Sequence, residues 1–296
     1  MLQNSTSILD SIHSSVFLKS ADQTINIFLC GASVSDSNSI RNLIYKSVRD
    51  IGKTNVVLPE WLFSDLMAKP QYNLLDLENE LAHNVDLLII PLESVGTIAE
   101  LGAFASFPTI RGKIIVINDT GHKRKQSFVN LGPIKLIKQE HPDNVMYYDN
   151  NNSDELIDKV ITRIKYLKNR EPKSAVNNLF NLSRFILFLI GIYQPVSKED
   201  IRDMILNWKS EITEYYIEPC LTILIKDKIV LSNMHNYTEF FSLTEKGHNY
   251  VFETILPSLG VTKQFNKIRT QVLNAKYRER RRPNLVQERE SLLELS

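Results

Sequence analysis

Cysteine is nearly absent, with Cys30 and Cys220 the only two in 296 residues. They lie far apart, each within an apolar stretch, and offer neither a disulfide framework nor metal-ligand spacing. Two buried, reduced thiols are expected. Net charge is also scarce, at about +1, which excludes a chain coated uniformly with basic residues. Long hydrophobic runs are missing. The most apolar one, Phe185–Tyr193, follows Arg184 and is too short to span a bilayer. The N-terminus lacks the charged-then-apolar layout of a secretory leader. A cytoplasmic protein with no membrane partner is expected. The six histidines show no pairing that suggests a metal or a triad, so neither a metal nor a resident cofactor is expected.

What is present is an ordinary globular composition, 43% apolar and 23% charged, in a chain long enough for one large domain or two medium ones. The first half alternates strand and helix signals. Strands are predicted at Ile25–Cys30, Asn55–Leu58, Asp86–Pro91 and Lys113–Asn118. Helices are predicted over Ile40–Ile51, Asn73–His83, from about Thr97, and over Ser153–Leu167. Continuous Ile/Val/Leu runs of this length suit central strands of a parallel sheet covered on both faces. The fold class read from this is α/β with a doubly wound parallel sheet.

Composition changes after Lys168–Pro172. Helices are predicted over Ser174–Tyr193, Ser197–Trp208 and Glu211–Lys226, then a strand pair, Ile229–Leu231 and Phe240–Leu243, then a helix from Thr244. Three helices followed by a two-stranded wing resemble a winged helix-turn-helix domain. The expected organisation is an N-terminal extension (1–21), a catalytic domain (22–170), a mostly helical winged-helix domain (174–260) and a basic tail (261–296). Lys263–Arg282 holds eight basic residues and one acidic one. Its core, with Lys276, Arg278, Arg280, Arg281 and Arg282, fits contact with a phosphate backbone; a solvated helix end or a disordered tail is the other reading.

The segment richest in chemistry is Pro91-Leu92-Glu93-Ser94-Val95-Gly96-Thr97-Ile98-Ala99-Glu100-Leu101-Gly102. It follows the C-terminal end of a predicted parallel strand, the edge where open α/β sheets place ligands. A glycine such as Gly31 or Gly96 lets a ligand approach the backbone closely. Gly102, Ala103 and Ala105 are expected to keep the next helix slim against the sheet. Thr97-Ile98-Ala99-Glu100 also matches a capping box, in which Glu100 would be a structural cap. On the preceding helix, Asp76 and Glu80 share one face and are expected in solvent, while Glu78 lies nearer the buried side. Glu93 is a further acid nearby. The loop His122–Lys125 reads as a surface charge run, and Asn130, before Gly132-Pro133, either caps a turn or reaches a ribose.

The Gly96…Glu100…Gly102 stretch resembles the nucleoside deoxyribosyltransferase family, whose nucleophile is the Glu of a Gly-x-x-x-Glu-x-Gly motif after a sheet strand. Ile27–Ala32 is similar to that family's opening strand. The resemblance implies Glu100 as nucleophile; Glu78, from its place on the helix face, is the second catalytic candidate, and Gly31, Ser94, Gly96, Thr97 and Asn130 are the candidate substrate contacts. Two departures stand out: Ser94 where family members carry an acid, and Phe28 where they carry Tyr. A purine leaves best when protonated, whereas the nicotinamide of NAD is already cationic and leaves neutral. A site lacking one acid therefore suits NAD as substrate.

Taken with the C-terminal half, the chain resembles the effector proteins of type II retrons, through Phe28–Gly31, Leu74–Asn79, Glu100–Phe104, Ser127–Asn130 and Gly132-Pro133. That resemblance implies an anti-phage toxin that cleaves an N-glycosidic bond in NAD or a related nucleotide. Its partners would be a retron reverse transcriptase and its multicopy single-stranded DNA–RNA hybrid, with a higher-order assembly left open. Two other readings stay open at this level: a nucleotide-sensing, nucleic-acid-binding regulator without catalysis, and a nucleoside deoxyribosyltransferase of base salvage.

Overall fold

The computed structural model describes residues 5–20, 24–31, 33–149, 153–168, 175–176, 178–212 and 214–293, and excludes the side chains of 5, 168 and 279–293 from that description. The chain forms two compact units, one of residues 22–173 and one in which residues 1–21 join 174–296. Among the described residues, no helix is long and apolar enough to cross a membrane.

Helix α1 (Ser5–Ile12) belongs to the second of these units. The first unit then runs β1 (Ile25–Leu29), α2 (Ile40–Val48), β2 (Thr54–Val57), α3 (Pro59–Phe63), α4 (Leu74–Asn84) and β3 (Leu87–Pro91). It continues through α5 (Val95–Ala105), α6 (Pro108–Arg111), β4 (Ile114–Asp119), α7 (Phe128–Leu131), α8 (Pro133–Glu140), β5 (Val145–Tyr148) and α9 (Ser153–Lys168). The five strands pair in the order β2-β1-β3-β4-β5, and every pair is parallel. The α/β expectation holds at this level. The strand β5 was not foreseen, because Val145-Met146-Tyr147-Tyr148 is a short edge strand of mixed character among polar neighbours.

Strand geometry sends successive side chains to opposite faces. Ile25, Ile27 and Leu29 of β1 join Leu87, Ile89, Ile115 and Ile117 in a core closed by Ile40, Ile44 and Val48 of α2 and Leu156, Val160 and Ile164 of α9. Phe28 points the other way, its ring 5.8 Å from that of Phe104 on α5. Both sheet faces are thus apolar, which is why the strand sequences are continuous rather than alternating.

The second unit adds α10 (Leu179–Tyr193), β6 (Val196–Ser197), α11 (Lys198–Trp208), α12 (Ile217–Lys226), β7 (Val230–His235), β8 (Thr238–Leu243), α13 (Glu245–His248), α14 (Leu256–Ser258) and α15 (Thr262–Leu293). Its sheet has three strands, antiparallel in the order β6-β8-β7, so the expected pair is joined by Val196 and Ser197. Asn236 and Tyr237 make the hairpin turn with positive φ values of 47° and 64°. Helix α1 is part of this unit's core: Leu9 and Ile12 are buried, and the Trp208 indole donates to Asp10 at 2.8 Å. The C-terminal segment is one 32-residue helix, α15. Phe265, Ile268 and Val272 of its first half are buried at helical spacing, so this stretch is core as well as basic surface.

Candidate active site

The switch in strand order falls between β1 and β3, since the chain moves from β1 outward to β2 and then returns to the opposite side of β1. Crevices at the carboxyl ends of such neighbouring strands are where doubly wound sheets hold ligands. A cleft of about 300 Å³ opens there, lined by Cys30, Gly31, Ser33, Arg41, Pro59, Glu60, Leu74, Glu78 and Glu100. Residues contributed by β1's end, α2, α3, α4 and α5 therefore converge on one space.

The helix carrying Glu100 starts earlier than the sequence suggested. Its N-cap is Ser94, whose hydroxyl accepts from the Thr97 amide at 3.2 Å, while the Thr97 hydroxyl accepts from the Ser94 amide at 3.2 Å. The capping box is therefore Ser94–Thr97, and the reading of Glu100 as its glutamate is corrected. Glu100 stands six residues beyond the cap, in the second turn, where no unpaired helix N–H remains for it to satisfy. Gly102 is also corrected. It faces outward, and a Cβ added there meets nothing within 4 Å, whereas Ala105 packs as expected, with Leu101 and Phe104 beside it on the buried side.

Two carboxyls face the cleft in conditions unusual for acids. Glu78, 7% exposed between Leu77 and Leu81, has its pKa raised from the ordinary 4.5 to about 7 by burial first, then by the charges of Glu100 and Glu60. Glu100 is also raised, chiefly by burial; the neighbouring Cys30 thiol and the Arg41 charge work in the opposite sense. Its Oε2 is buried and has no hydrogen-bond partner. An orphaned acceptor of that kind carries a desolvation cost of about 1–3 kcal/mol. Cys30, expected to be an inert buried thiol, is buried and free but lines the cleft, with its own pKa raised by burial and by the nearby carboxyls.

The other sequence-derived residues divide. Gly31 lines the cleft. Ser94 and Thr97 are engaged in the cap, and Gly96 is exposed beside them; none of the three lines the cleft. The Asn130 amide donates to the carbonyls of His122 and Lys125 at 2.8 Å each, closing the exposed basic loop, and leaves a buried Oδ1 without a partner. Asp76 is exposed in the first turn of α4. Glu93 accepts from the amides of Ile40 and Arg41 at 2.6 and 3.2 Å, holding the start of α2. On α15 the Lys276 ammonium donates to the Tyr193 carbonyl, and Arg278 is exposed; the side chains of Arg280, Arg281 and Arg282 lie outside the described residues. Among the described residues, no group of three or more His, Cys, Asp or Glu is placed to hold a metal ion.

Arg41 and Glu60 are the site residues that sequence reasoning missed. Arg41 is 3% exposed, and its guanidinium meets Glu60 at 2.8 and 2.9 Å. Gly31 has φ +135°, and a Cβ there would stand 2.8 Å from Arg41 Cδ. Both the backbone conformation and the contact demand glycine. Gly31→Ala is expected to destabilise the first unit by about 1–3 kcal/mol. Thermal unfolding checks this, and a melting temperature equal to the parent's would show that the loop adapts without strain.

Comparison with known proteins adds independent information. The sequence model of the STM3845 retron effector protein family matches residues 37–232. A protein of retron Ec86 from Escherichia coli is 27% identical over 282 residues, covering 89% of this chain and 89% of its own length. One of retron Ec73, also from Escherichia coli, is 39% identical over 120 residues, 38% of each chain. Both carry the provisional name ribosyltransferase/DNA-binding protein.

Proposed function

Because this chain belongs to the STM3845 retron effector family, we propose that it is a retron toxin that hydrolyses an N-glycosidic bond of NAD or a related nucleotide. The observation that carries this reading is Glu100, whose buried Oε2 is unpartnered in a cleft at the sheet's switch point, beside a second carboxyl near neutral pKa. The ribosyltransferase in the relatives' names supports the same class of chemistry. With the cap assigned to Ser94 and Thr97, helix capping does not account for Glu100.

In the first step a Glu100 oxygen attacks C1′ of the nicotinamide-bearing ribose. The C1′–N bond breaks, its electron pair neutralises the pyridinium, and nicotinamide departs without needing a proton. The product is a glycosyl ester on Glu100. Water then attacks C1′, Glu78 in its ionised form takes the water's proton, and Glu100 leaves as the carboxylate. The Glu100 charge also stabilises the oxocarbenium-like transition state. Ser94, committed to the helix cap, supplies no acid, in keeping with a leaving group that requires none.

The second unit, with α10, α11 and α12 followed by the β7-β8 hairpin, is read as a winged helix. The relatives' DNA-binding designation supports it as the docking module for the multicopy DNA–RNA hybrid and reverse transcriptase that hold the toxin in check. The basic face of α15, including Arg278, would meet phosphates.

Purified protein incubated with NAD, with and without its reverse transcriptase and hybrid, should release nicotinamide and ADP-ribose, followed by chromatography. Faster base release from deoxynucleosides would move the substrate to nucleoside salvage. No base release from any nucleotide, in either state, would remove the glycosidase reading.

A further inference from the structure

Arg41 lines the cleft, and its guanidinium is tied to the end of β1 and to Glu60. Nε donates to the Leu29 carbonyl at 3.1 Å, and Nη2 to the same carbonyl at 2.8 Å and to Glu60 Oε2 at 2.9 Å. Nη1 donates to the Gly31 carbonyl at 3.1 Å and to Glu60 Oε1 at 2.8 Å. A guanidinium has five N–H groups, and these bonds employ all of them. The carbonyls it grips bracket Cys30, which lines the cleft together with Glu100. From the other side, Glu93 holds the amides of Ile40 and Arg41, and Glu93 directly precedes Ser94, the cap of the Glu100 helix. A closed frame thus runs from the start of α5, through the N-terminus of α2 and the Arg41 fork, to the end of β1.

We propose that Arg41 is the positioning residue of this site: its fork fixes the carbonyls of Leu29 and Gly31, and so sets the β1 end with Cys30 between them in the cleft that Glu100 and Glu78 also line. Its kinetic consequence rests on the glycosidase reading above; its structural consequence does not. A buried ion pair is weak evidence for stability, since apolar side chains of similar volume commonly replace one without loss. What a planar, multidentate fork supplies, and a lysine ammonium cannot, is direction to several acceptors at once.

The groups facing Glu100 are Cys30 from β1's end, Arg41 from α2, Glu60 from α3 and Glu78 from α4. Arg41→Lys keeps the charge and loses the fork. It is expected to lower kcat for nicotinamide release by about a hundredfold, the cost of a small misplacement of a reacting group, with KM little changed. Glu60→Gln reaches the same frame from its more exposed end and serves if Arg41→Lys does not fold. It removes a negative charge that raises both carboxyls, so the acid limb of the rate profile and the titration of the 13C-labelled Glu100 carboxyl should move to lower pH. Parental kcat in a folded Arg41→Lys protein, or parental resonances of 13C-labelled Cys30 and Gly31 in either variant, overturn the positioning role. The Cys30 and Gly31 resonances need no turnover, so they decide the role of the frame even if the wild-type protein proves inactive on NAD.

Discussion

Replacing Glu100 by Gln is expected to abolish nicotinamide release while the protein remains fully folded. The loss should be on the order of 10⁴- to 10⁶-fold, as when the nucleophile or its essential partner is removed from an otherwise intact hydrolase site. Gln preserves shape and one carbonyl acceptor but cannot form the glycosyl ester. The helix should not notice the change, because its cap is Ser94 with Thr97 and Glu100 makes no contribution to it. Burial raises the Glu100 pKa, so ionising it costs native stability as pH rises. Gln removes that cost, and the variant should be at least as stable as the parent at alkaline pH. Single-turnover release of nicotinamide, with circular dichroism in parallel, measures both. Residual activity within about tenfold of the parent would rule out a covalent role for this residue.

The second large effect concerns Glu78, and its signature is a change of rate-limiting step. Nicotinamide leaves without protonation, so Glu78→Gln should spare the first step and stall the second. The expected trace is a burst of nicotinamide approaching one equivalent per active site, followed by turnover slowed about 10²- to 10⁴-fold, the usual worth of a general base. In the parent, the base must be ionised, so turnover should rise with pH through about 7, where Glu78 titrates, and the variant should lose that limb. If instead the burst itself disappears, Glu78 acts on the leaving group, and a substrate with a neutral base becomes the better assignment.

Stability gives Glu78 an independent check with a definite sign. Its folded pKa, about 7, lies above the ordinary carboxyl value of 4.5. The native state therefore holds the proton more tightly than the unfolded chain, and stability falls as pH rises between these two values. The difference between Glu78→Gln and the parent should be near zero at pH about 4 and reach about 1–3 kcal/mol in the variant's favour by pH about 8. A shift of this size moves the melting temperature by roughly 2–4 °C per kcal/mol in a domain of this size. A parent that gains stability on going from acid to alkaline pH at this residue's expense would contradict the burial that defines the site.

Much of the frame of this molecule was legible in residue order. Asp86–Pro91 and Lys113–Asn118 are apolar enough to belong in the middle of a sheet, and both do, as β3 and β4. Glu78 was separable from Asp76 and Glu80 because a helix repeats every 3.6 residues, and it alone of the three is buried. The cap of α5 was misplaced for an instructive reason. Thr97 and Glu100 have the residue types of a capping box, and Ser94 with Thr97 lack its glutamate. Local pattern favoured the later start, whereas the actual helix begins where the chain leaves β3, with Glu93 already held by the amides of α2. The helix α15 had a readable signal in Phe265, Ile268 and Val272 that the basic residues around them obscured.

Periodicity, cap chemistry and element-terminating prolines act over a few residues, so the sequence alone placed the central strands and most of the longer helices, and singled out the segment that follows β3. The assembly of Cys30, Arg41, Glu60, Glu78 and Glu100 around one cleft has no local counterpart. It arises because β1 lies between β2 and β3, which brings segments separated by up to 70 residues to a single edge of the sheet. Burial of Glu78, the orphaned oxygen of Glu100 and the inward turn of the Arg41 fork are consequences of that convergence. Charge, solvation and hydrogen bonding at such a point depend on what the whole fold places beside it, which no stretch of sequence specifies.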